Sequence, residues 1–139
     1  MQYSGYAQLP RSCHRAPMAA GFAELIVWRE AVALVADVVA NCASFRGPGG
    51  YAASEQMVRA AESIPANIAE GYGRGVNRDC MRFLRIARAS AAELESHLHV
   101  AAATDRMAHV AAERLINRTR KVRYLVDRFL KSVEARSGA

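Results

Sequence analysis

Glu93 and His97, and likewise Glu95 and His99, stand four residues apart. On a helix that spacing puts each pair on one face, where a carboxylate and an imidazole could share a metal ion. A di-iron bundle draws a Glu-x-x-His pair from each of two helices and one more glutamate from each of two others. That pattern is absent, His109 cannot complete it, and no metal is expected. Nucleophilic chemistry fares no better. Ser63, Ser90, Cys13, Cys42 and Cys80 have no base and orienting acid at a recognisable spacing, and a helical chain offers no strained elbow to expose a nucleophile. Glu70 and Glu93 could form a carboxylate pair, but Arg59 on the same ladder favours a structural ion network. No catalytic residue, cofactor or small-molecule substrate is expected; a metal-dependent enzyme is the weakest of the readings considered.

The basic residues carry the stronger signal. The chain has a net charge of +6 and a pI near 9.7, and 17 of its 19 basic residues are arginine. Arginine's planar fork suits phosphate and carboxylate. Arg114, Arg118, Lys121 and Arg128 fall along one line of the last predicted helix, and residues 106–136 hold nine basic against three acidic side chains. Arg78, Arg82 and Arg85 line a face of the third. Together these seven could track an RNA or DNA backbone without reading its sequence. Tyr124 is the only aromatic residue near them, so stacking on single-stranded bases is not indicated. The alternatives are a merely solvated face, or a protein–protein module that assembles or docks an acidic protein.

The stretch organising the chain runs from Met57 to Gly73. Met57, Ala60, Ala61, Ile64 and Ile68 form an apolar helical stripe, and Arg59, Ser63, Asn67 and Glu70 a polar one. Pro65 between them cannot donate to the Ala61 carbonyl, so a kink is expected there, with Ser63 and Asn67 placed to satisfy the freed oxygen. Ser90 and Glu93, on the third helix, are natural partners. Arg59, Ser63, Asn67, Glu70, Ser90 and Glu93 are therefore expected to form a buried structural network.

The run Arg59-Ala60-Ala61-Glu62-Ser63-Ile64-Pro65-Ala66-Asn67-Ile68-Ala69-Glu70-Gly71 resembles the signature of a bacterial four-helix-bundle family. That family includes proteins encoded in ribosomal-RNA intervening sequences and accessory variability proteins of diversity-generating retroelements. Leu25-Ile26-Val27-Trp28-Arg29-Glu30-Ala31 and the stretch from Phe83 to Glu95 match it too, so the resemblance spans from Phe22 to the early 130s. Ala89 and Ala91 stand where the family usually has Gly and a larger apolar residue, a departure bearing on helix packing. The resemblance implies an all-α, antiparallel up-down four-helix bundle and a family without an established enzymatic activity. It also implies a ring-shaped homopentamer with a basic, nucleic-acid-binding surface.

At 139 residues the chain is expected to be one bundle, residues 21–139, behind a flexible extension of residues 1–20. Predicted helices cover 22–44, 52–70, 78–103 and 106–136. The glycines and proline of residues 45–50 form a helix connection; a phosphate-cradling loop would need a preceding strand and a Gly-Lys-Ser/Thr ending. Gly71, Gly73 and Gly75 are expected to end the second helix, Asn77 to cap the third and Asp105 the fourth. The third is expected to bury Phe83, Ile86, Ala87, Ser90, Leu94, Leu98 and Ala101, and the fourth Leu115, Thr119, Val122, Val126, Phe129 and Val133. The first helix has two apolar stripes. Phe22, Leu25, Val32, Ala36 and Val39 are assigned to the core, and Val27, Ala31, Leu34 and Val38 to contact with another subunit, because a helix apolar nearly all round needs cover on most sides. Three cysteines without ligand spacing read as free thiols, and no apolar run nears the roughly 18–20 residues that cross a bilayer, so a cytoplasmic protein is expected.

Overall fold

The computed structural model describes residues 21–43, 45 and 47–138. The expected N-terminal extension, with Cys13, lies outside the described residues. Every regular element among the described residues is helical: a 3-10 turn at Phe22–Glu24, then α1 (Ile26–Cys42), α2 (Gly50–Gly73), α3 (Arg78–Ala103) and α4 (His109–Ser137). Each α-helix packs on the next and α1 closes against α4, leaving one core in the middle. Partners run in opposite numerical order. Cys42 meets Met57, Ser63 meets Ser90 and Gly71 meets Cys80, while Arg85 meets Glu134 and Glu95 meets Arg120.

The apolar stripe of α2 is buried as its spacing predicts, from Met57 to Ile68. The helix continues through Pro65. It also extends past both predicted ends, because Gly71 and Gly73 stay helical and only Gly75, at φ 81°, takes the left-handed turn. Gly71 has a different job. A Cβ there would lie 3.2 Å from both the Cys80 carbonyl oxygen and Phe83 Cβ, so its missing side chain lets α3 approach. Asn77 caps α3, its Oδ1 accepting from the Cys80 N–H at 3.0 Å, with Asp79 in the first turn. Asp105 does not cap α4. It occupies the left-handed region at φ 54° within the turn, and α4 begins later, after Ala108. At the other end of that turn the Arg106 and Met107 N–H groups both donate to the Ala101 carbonyl, closing α3. The glycine-rich stretch near residue 48 is a helix connection, held by a 3.0 Å hydrogen bond from Arg106 to the Pro48 carbonyl.

The orientation of α1 corrects the expectation. Val27, Ala31, Leu34 and Val38 are buried in the bundle's own core, with Leu34 and Val38 at 0% exposure. They cannot meet another subunit. The stripe assigned to the core faces out instead: Phe22, Val32 and Val39 are 40%, 37% and 48% exposed, Ala36 is exposed and Leu25 half-buried. The chain starts α1 only at Ile26, since Leu25 is extended, and the 3-10 turn before it lies outside the bundle's core. In α3, Ile86 is exposed and Phe83 half-buried, and Met81, Leu84 and Ala91 fill the core alongside the expected residues. Phe129 of α4 is likewise half-buried, while Ile116 and Leu130 are buried. Cys42 and Cys80 are buried free thiols, and burial pushes both up from the ordinary thiol range.

Candidate nucleic-acid interface and apolar face

The polar ladder across α2 and α3 is shorter than expected. Asn67 donates from Nδ2 to the Ser63 carbonyl at 2.8 Å and to Ser63 Oγ at 3.0 Å. Ser63 and Ser90 hydroxyls lie 2.8 Å apart, and Ser90 Oγ donates to the Ile86 carbonyl at 3.0 Å. A hydroxyl has one proton. Since Ser90 gives its proton to Ile86, Ser63 must donate to Ser90, and the chain runs one way from Asn67 to Ile86. Every donor in it is used, and of its side chains Ser90 is buried while Ser63 and Asn67 are half-buried. The Ala61 carbonyl is not the acceptor of either side chain.

Arg59, Glu70 and Glu93 do not join this chain. Arg59 is exposed beside Glu55 and Glu62. Glu70 pairs on the surface with Arg74, one turn on, through Nε at 3.0 Å and through Nη2, and this pairing pushes the Arg74 guanidinium up from its ordinary value. Glu93 lies 3.5 Å from His97 Nε2, a buried nitrogen without a hydrogen-bond partner. His99 lies 3.9 Å from Glu95. Among the described residues no group of three or more His, Cys, Asp or Glu side chains could hold a metal.

The seven basic candidates fall into separate places with different partners. Arg114 and Arg118, on α4, both pair with Asp37 of α1, Arg114 at 3.1 Å, and Lys121 pairs with Glu30 of α1 at 3.1 Å. This row faces α1, and Glu113 lines the same shallow cleft. Arg85 reaches Glu134 of α4 at 3.2 Å, on the other flank of α4. Arg128 lies over the Tyr124 ring, 5.9 Å from its centroid, and donates to the Tyr124 hydroxyl at 3.1 Å. Arg78 and Arg82 sit at the start of α3; Arg82 lies 3.9 Å from Asp79, and Arg78 has no carboxylate partner among the described residues. The α3 group therefore does not form one surface with the Arg114–Arg118–Lys121 row.

Spacing within one helix could not reveal the pairings that join α4 to α1 and α3. The strongest ion cluster involves none of the candidates: Glu95, 14% exposed, accepts from Arg120 at 2.7 Å and from Arg123 at 3.1 Å, joining α3 to α4. The excess of arginine on α4 was the visible signal; its partly buried acceptor on α3 was not.

The outward stripe of α1 leads into an apolar groove against α2. Trp28, Val32 and Val35 form one wall, Pro65, Ala66 and Ala69 the other, and among the described residues Glu62 is the only charged one lining it. From Ala31 to Ala43 the only ionisable groups on α1 are Asp37, already engaged by α4, and the buried Cys42 thiol. No helix among the described residues is long and apolar enough to cross a membrane.

No curated protein sequence matches this chain. The family model for the 23S rRNA-intervening sequence protein matches residues 23–128, which take in α1, α2, α3 and most of α4. The chain belongs to the 23S rRNA-intervening sequence protein family.

Proposed function

We propose that this chain is a non-enzymatic scaffold, an antiparallel up-down four-helix bundle that assembles with copies of itself. The observation carrying this reading is the outward face of α1 with its groove against α2. Exposed apolar side chains scattered singly are ordinary; a continuous groove with one charged lining residue among the described residues marks a contact surface. A second copy is the occupant that a stripe of Val32, Ala36 and Val39 without free charge favours, since charged partners would be stranded on it. A homopentamer is the assembly the family resemblance implies, and in such a ring the groove of one copy meets a different surface of the next.

Light scattering on the purified chain tests this. A mass of about 75 kDa, five times 15.1 kDa, is expected for the assembly, and replacing Val32 and Val39 together with Glu should return it to the single-chain mass. A wild-type particle of 15.1 kDa at micromolar concentration overturns the proposal.

A second reading, binding of RNA or DNA, is favoured by the charge of +6 and by cations such as Arg78 and Lys131 that have no carboxylate partner among the described residues. Assembly would concentrate that charge around one axis. Labelled RNA and DNA titrated across a salt series test it, and no binding at low salt removes it, leaving assembly or docking of an acidic protein as the role.

A further inference from the structure

One cluster of cations open to a polyanion lies at the corner between α2 and α3. Gly71-Tyr72-Gly73-Arg74-Gly75-Val76-Asn77-Arg78 turns the chain there. Arg74, which caps the end of α2, and Arg82 of α3 both place their guanidinium carbons over the Phe83 ring, at 5.3 Å and 4.4 Å from its centroid. Arg78 lies one turn before Arg82 on α3 and has no acidic partner among the described residues. Among the described residues nothing lies within 4 Å of the Cβ positions of Gly73, at the end of α2, and Gly75, in the loop, so the backbone on either side of Arg74 is open to close approach.

The acids at this corner pair with their arginines at the exposed surface. Asp79 is 3.9 Å from Arg82, with both side chains about 60% exposed, and the Glu70–Arg74 pair is nearly half exposed on both sides. Exposed pairs of this kind contribute little and yield to a competing anion. Three arginines face two carboxylates here. The row on α4 is different: Arg114, Arg118 and Lys121 face Asp37, Glu30 and Glu113, an even balance, and Asp37 and Glu30 belong to a neighbouring helix. Releasing that row for a ligand would break the ion pairs that join α1 to α4.

We propose that a nucleic-acid phosphate backbone is held at the α2–α3 corner by Arg74, Arg78 and Arg82, and not along the α4 row. The proposal rests on the nucleic-acid reading above and places it. Phe83 acts as a platform for the two guanidiniums, leaving their N–H edges to phosphate oxygens. Because two arginines lie over it, the Phe83 ring serves the guanidiniums and not the bases, and the contact is blind to sequence and to sugar.

The experiment compares three proteins: the wild type, one carrying Arg74→Gln, Arg78→Gln and Arg82→Gln, and one carrying Arg114→Gln, Arg118→Gln and Lys121→Gln. Each substituted protein loses the same charge. Short labelled single strands of RNA and DNA of one sequence are titrated across a salt series. Loss of three phosphate contacts should lower the log–log salt slope by about 2 and weaken binding roughly tenfold or more at low salt, whereas the α4 variant should keep the wild-type slope. Arg78→Gln alone touches no partner and so leaves the fold intact; it should lower the slope by roughly 0.7. An α4 variant that loses as much as the corner variant, or a strong preference for one sugar, overturns the corner assignment alone. A wild type that binds neither strand at low salt removes the nucleic-acid reading and the assignment with it.

Discussion

Gly71 offers a direct test of how α2 and α3 are held together. Replacing glycine by alanine inside a helix gains about 1 kcal/mol of helix propensity. At Gly71 the added methyl would lie 3.2 Å from a backbone carbonyl oxygen and 3.2 Å from a Cβ atom, with Leu84 Cγ at 3.7 Å. Neither of the two nearest atoms is the end of a flexible side chain, so relief requires α3 to shift away from α2. Overpacking of this kind costs about 1–3 kcal/mol, which outweighs the propensity gain and leaves Gly71→Ala destabilising by about 1 kcal/mol. Gly73 is the control. It lies two residues further along the same helix with nothing within 4 Å of its Cβ position, so Gly73→Ala should be stabilising by a few tenths of a kcal/mol up to about 1. The expected separation of the two variants is about 2 kcal/mol, or roughly 4–8 °C in melting midpoint for a domain of this size. Urea and thermal unfolding followed by circular dichroism, at one fixed protein concentration because assembly shifts apparent stability, reads it directly. If Gly71→Ala proves as stable as Gly73→Ala, the close approach does not govern the α2–α3 contact.

Two further outcomes follow from the interior. Asn67→Leu removes the head of the one-way hydrogen-bond chain but leaves Ser63 still donating to Ser90, so it should cost about 1 kcal/mol in urea unfolding; no change in midpoint would mean that the amide contributes nothing to holding the two helices. Cys42 and Cys80, raised by burial, should resist a thiol reagent in the native protein and react on unfolding. Their stabilising preference for the neutral thiol is fully present below the unfolded thiol range and is lost as pH rises through the folded values, so stability should fall on the alkaline side. Prompt native-state labelling of both would contradict their burial.

Local signals in this sequence reach as far as single helices. The stripe from Met57 to Ile68, the Asn77 cap and the limits of α3 follow from period and capping chemistry, which act within a few residues. The Ser63–Asn67–Ser90 core of the ladder was legible for the same reason: three small polar residues on inward faces must find one another. The rotation of α1 was not. A helix apolar on two stripes satisfies the helical period either way, and the choice rests on its partners, with Val27, Ala31, Leu34 and Val38 toward the core while Glu30 and Asp37 meet the cations of α4. The same holds for the basic residues. Composition establishes that positive charge is in excess, but whether an arginine is free or neutralised depends on carboxylates as far as 77 residues away, as with Arg114 and Asp37. Helix content is decided by neighbours along the chain; which faces stay open to a partner is decided only when the helices pack, because burial and ion pairing join residues that local spacing does not relate.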